Sequence, residues 1–221
     1  MGEGGATWTR QVAVPVWETS LAGDLTLPPR AASVVVFVEG GAPGRTSPAG
    51  RHIAGALHEA GIGSLLLDLL DDHEARRAAE PGAAPLDLDL VAGRAVGAVD
   101  WLATVPRTRD LAVGLFGAGE GAAAALAAAA ERAERIGAVV CSGGRAERAE
   151  DMLPHVSAPT LLIAGESDPG AVAGDEEAAA ALAGRAALAV VPGVLEESHA
   201  LERVAQLAAD WFARPLAGAG D

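Results

Sequence analysis

The chain contains no lysine, no asparagine and no tyrosine, and a single cysteine, Cys141. One thiol excludes an intramolecular disulfide and a cysteine-based zinc site. A reducing, cytoplasmic setting is therefore the expectation. Aromatic residues make up only 3% of the 221 residues, and all 16 basic residues are arginine. With so much alanine, glycine and proline, this bias points to a GC-rich coding sequence more than to selection for a task. Cations are outnumbered, and the net charge is −14. A phosphate backbone or an anionic membrane would be repelled, so neither is expected as a partner. No apolar run approaches the roughly 18 residues of a spanning helix. The opening MGEGGATWTR carries no apolar signal segment.

What is present is a large apolar fraction, 50% of the residues, enough for a sizeable core in one domain. Residues 10–16 and 20–28 alternate apolar and polar side chains, which predicts an antiparallel hairpin at a sheet edge. Residues 33–41, 62–70, 111–117, 136–144, 158–168 and 186–193 read as buried strands. Helices are predicted at 47–61, 88–105, 120–134, 174–184 and 198–216, with 71–86 as a loop. Ser47 and Pro48 make a good N-cap and first-turn pair for the first of these helices. Alternating strands and helices from residue 33 onward imply a mainly parallel, doubly wound sheet. There is no internal repeat and no linker. In such sheets ligands bind outside the carboxyl ends of the strands, so the residues just past each strand are the ones to weigh.

Those residues carry a resemblance. GDLTLPP (23–29), VVVFVEGGAPGRTSP (34–48), AGIGSLLLDLL (60–70), AVDWL (98–102), VGLFGAGEGAAAALAAAAE (113–131), APTLLIAGESD (158–168) and LAVVPG (188–193) resemble, in order and spacing, the α/β-hydrolase superfamily. The dienelactone hydrolase-like family is the nearest branch, and the resemblance covers about residues 10–213. It implies one α/β-hydrolase-like domain over 1–221, with residues 1–9 and 215–221 as flexible tails.

The family's chemistry needs a nucleophile on a strained strand-to-helix turn, a histidine, an orienting carboxylate and backbone N–H groups for the oxyanion. Carried onto this chain, the nucleophile position falls on Gly119, which has no side chain to attack with. Asp168 matches the acid. An ungapped reading puts Glu196 in the histidine's place, and a gapped reading uses His199, which also suits the start of the last helix. The oxyanion loop reads Glu39-Gly40-Gly41, and Glu120 follows the nucleophile position. The resemblance is therefore to a degenerate triad. Cys141 and Ser142 end a different strand and are poor substitutes.

If the fold holds, Glu39, Glu120, Asp168 and Glu196 converge on one cleft lined also by Gly40, Gly41 and Gly119. Carboxylates so gathered cannot all stay ionised cheaply. Arg45 could neutralise Glu39. No metal and no cofactor is expected. The leading expectation is a protein without serine-based hydrolysis that binds a small molecule or performs acid/base chemistry through Glu39, Glu120 or Asp168. The alternatives are an esterase or lactonase that activates water with Asp168 and His199, and a non-catalytic partner of another protein or of a second copy.

Overall fold

A computed structural model of the chain describes residues 5–40, 44–78, 80, 87–195 and 197–214. The hairpin comes first: β1 (Trp8–Val16) and β2 (Thr19–Leu27) pair antiparallel over their full lengths. Trp8 and Thr9 therefore belong to the sheet, not to a tail. Along β2, Leu21, Gly23, Leu25 and Leu27 are buried and their neighbours are less so, the period-two pattern of a half-covered strand.

The remaining strands are β3 (Ser33–Glu39), β4 (Gly63–Leu67), β5 (Ala112–Ala118), β6 (Ile136–Ser142), β7 (Thr160–Gly165) and β8 (Ala186–Val191). They complete an eight-stranded sheet of order β1-β2-β4-β3-β5-β6-β7-β8. β2 meets β4 antiparallel, and every later pairing is parallel. From β3 the chain steps outward to β4, then returns to the other side through β5. The strand order thus reverses between β3 and β5, where doubly wound sheets bind ligands.

Helices cover both faces. α1 (Pro48–Glu59) and α6 (Ser198–Phe212) pack over Val35, Phe37, Phe116, Val140 and Ile163. The opposite face carries α3 (Leu88–Thr104), α4 (Gly121–Glu131) and α5 (Pro169–Ala181), over Val34, Val36, Leu115, Val139 and Leu162. α4 is alanine-rich and buried almost all round, so small side chains let it lie close to the sheet. Among the described residues no helix is long and apolar enough to cross a membrane.

Two expectations needed correction. Residues 72–78 form a short helix, α2 (Asp72–Ala78), where the sequence predicted a loop. Its Glu74 accepts hydrogen bonds from the buried Arg94 guanidinium on α3, and Arg94 also donates to the Leu69 carbonyl. The helix is held by a residue some twenty positions away, which local pattern does not show. α5 begins at Pro169, five residues earlier than expected, for a reason that bears on the site.

Candidate functional site

The strand-to-helix turn after β5 is built as the motif implied. Gly119 sits at φ +54°, and a β-carbon placed on it would meet nothing within 4 Å. Its N–H donates to the Ser142 carbonyl at 2.9 Å, which ties the turn to the end of β6. Two residues on, tolerance vanishes. A β-carbon on Gly121 would lie 2.1 Å from the Val38 carbonyl oxygen and 3.0 Å from the Gly40 nitrogen. The first turn of α4 is thereby pressed against the end of β3.

Of the acids singled out by the sequence, Glu39, Glu120 and Asp168 each engage groups of their own. Glu39 pairs in register with Ala118, beside the turn, but its carboxyl runs to the first turn of α1. A β-carbon on Gly50 would lie 2.1 Å from Glu39 Oε1, and that oxygen is buried without a partner. Burial raises the Glu39 carboxyl above its ordinary range, and the Ser47 hydroxyl pulls it partly back. Ser47 Oγ also accepts from the Gly50 N–H at 3.1 Å, as the predicted cap. Glu120, half-exposed, meets Arg148 Nη1 at 3.4 Å. Asp168 is the N-cap of α5 and accepts from the Ala171 N–H at 3.0 Å. That cap is why α5 starts where it does.

His199 is exposed in the first turn of α6, and no hydrogen bond joins it to Asp168. Gly41 and Glu196 lie outside the described residues. Arg45 does not neutralise Glu39: its guanidinium bonds Asp68 at 3.2 Å and Asp24 at 3.4 Å. Among the described residues no three His, Cys, Asp or Glu side chains stand together to hold a metal ion. Glu120 is offset by Arg148 and Asp168 by a backbone N–H, while one Glu39 oxygen stays buried without a hydrogen bond.

Sequence reasoning overlooked the residue that fills the middle of the cleft. Leu195 Cδ1 would lie 3.9 Å from a β-carbon on Gly143, and its Cγ 3.3 Å from one on Gly165. A groove of about 180 Å³ runs here, lined by Gly143, Gly165, Ser167, Asp168, Val194 and Leu195 among others. Its walls are glycine backbone and aliphatic side chains, with one hydroxyl and one carboxylate. The available signal was the apolar pair Val194-Leu195 directly after Pro192-Gly193.

Beneath the same end of the sheet lie two polar groups in an apolar setting. Cys141 is buried, its Sγ 3.6 Å from the Ala122 carbonyl, and burial with nearby Asp175 pushes the thiol well up. Asp175, on α5, is 0% exposed, and neither carboxylate oxygen has a partner. Burial, aided by the Glu147 charge, pushes it up to about 7.

Comparison with known proteins agrees with this architecture. A dienelactone hydrolase from Anabaena variabilis is 43% identical, with TM-score 0.89, covering 94% of this chain and 98% of its own. A cold-adapted esterase from an Arctic intertidal metagenomic library shares the fold alone, at 17% identity and TM-score 0.72, over 93% of this chain and 94% of that one. Two relatives from Mycobacterium tuberculosis strains, each named a putative phosphoribosyl transferase, are 42% identical over 213 residues. They match 95% of this chain, which spans about half of their length, 47%. Residues 31–204 match the dienelactone hydrolase family, and with the sheet order and the Gly119 turn already described, the chain belongs to that family.

Proposed function

We propose that this protein binds a small compound at the carboxyl ends of its strands without forming a covalent intermediate. The observation that carries the reading is Gly119: the turn keeps its left-handed backbone and open space, while the residue offers no attacking atom. The absence of a hydrogen bond between Asp168 and His199 supports the same view. A carboxylate already capping α5 has no imidazole to orient. The groove's few glycine and aliphatic walls suit a small, mostly apolar ligand whose hydroxyl or amino group donates to Asp168. Glu39 is the candidate for acid/base work, since burial raises its carboxyl above its ordinary range.

The test combines a fluorophosphonate probe, p-nitrophenyl acetate and intact-mass spectrometry. The expected outcome is no adduct and turnover no faster than buffer. An acyl adduct, or ester turnover abolished by Asp168→Ala or His199→Ala, overturns the reading. A fragment screen by NMR should then place the first hits on Gly143, Gly165 and Leu195.

A further inference from the structure

A second concavity lies away from the strand ends. A groove of about 730 Å³ runs between the β1–β2 turn and the outer faces of α3 and α4. Its floor is made by glycine. A β-carbon on Gly93 would stand 2.6 Å from the Trp17 ring, and one on Gly97 2.6 Å from Val16. One helical turn apart, these two glycines let the hairpin lie directly on α3.

Trp17 is the unusual feature. It occupies the hairpin turn at φ +51° and is 68% exposed. Left-handed turn positions favour Gly or Asn, and a bulky residue there is strained. Exposing an indole forgoes its burial as well. Two unfavourable choices coincide on one side chain, whose inner face lies against Gly93. Trp101 and Met152 extend the apolar lining.

The rim is richer in acids than in cations. Asp89, Asp100 and Glu131 line it, and Glu18 is exposed beside Trp17. Arg132 is the sole cation of the lining, and it is already engaged by Asp100 at 2.8 and 2.9 Å and by Glu131 at 3.0 Å. We infer that this groove docks a basic amphipathic helix of a second protein, with aliphatic side chains against Trp17 and Trp101 and Arg or Lys over the acidic rim. A second copy is a poor occupant, because two acidic rims repel and each chain carries −14. The Mycobacterium relatives are consistent with a neighbour at close range, since they carry this unit as under half of a longer chain.

The test is fluorescence anisotropy on the full chain with labelled synthetic peptides of about 16 residues, roughly four helical turns. One peptide is a Leu/Arg amphipathic helix, and its control has the same composition scrambled to spread the apolar residues around the helix. Binding of the first is expected to weaken about tenfold in Trp17→Gly and about as much in the double variant Asp89→Asn, Glu131→Gln. It should also weaken as salt rises. Glycine suits the turn, so Trp17→Gly keeps the fold, and the double variant tests the rim independently. Equal affinity in both variants overturns the inference, as does equal binding of the scrambled peptide. So does a dimer in light scattering that Trp17→Gly dissolves, because a second copy would then be the occupant.

Discussion

Among the turns that hold a residue in the left-handed region, two treat it oppositely. At the end of β5 the position belongs to Gly119, which adopts it at little cost. At the tip of the hairpin it belongs to Trp17, which does not. The first is the strand-to-helix turn on which the resemblance places the nucleophile, and glycine occupies it without strain. The second has no such history in the fold, yet keeps a costly aromatic in solvent. The contrast teaches that the site inherited with a fold and the surface on which a chain spends stability can be different places.

Substitutions can break or sharpen that contrast. Gly121→Ala should have the largest effect, because its methyl would meet the Val38 carbonyl, part of the backbone itself. We expect a loss of about 3 kcal/mol or more and a fall in Tm of roughly 10 °C. A variant of unchanged Tm would mean that the β5–α4 turn is looser than described. Next is Asp175→Asn, under the same end of the sheet. An acid whose folded pKa is raised favours the folded state while protonated, and that contribution is lost as pH rises from its unfolded value of 3.8 to about 7. At about 1.4 kcal/mol per pH unit, less the cost of an unpaired amide, the variant should be about 2 kcal/mol more stable than the parent at pH 8. The gain should vanish near pH 4, as urea unfolding at the two pH values will report.

Gly119→Ala should cost only about 1 kcal/mol, all of it backbone, because the space above the residue is open. A much larger loss would show that the turn is still packed around its residue. Trp17→Gly should change stability least, by less than about 1 kcal/mol, since relief of the turn offsets lost contact with Gly93. If thermal unfolding shows a large loss instead, Trp17 is a structural clamp and the two turns are more alike than they look.

Most of the fold was legible because its signals are local. Val34–Val38 is continuous and apolar, Ser47-Pro48 announces α1, and the alanine run of α4 has no polar face to expose. α2 was not legible, because it depends on Arg94 reaching across from α3. The candidate site divides the same way. That residue 119 is a glycine on a tight turn can be read directly. That Arg45 would choose Asp24 and Asp68, and that Glu39 would turn toward Ser47, could not. Those outcomes are settled by side-chain directions at strand ends, and strand order alone brings positions together without aiming them.

The sealed position of Cys141 has a practical consequence. With its one sulfur packed beneath Ala122 and held as the neutral thiol, the native protein should ignore iodoacetamide and resist oxidative crosslinking. Alkylation would then proceed only as the core opens. The mass gained over time becomes a built-in clock for unfolding, read without adding a label or a second cysteine.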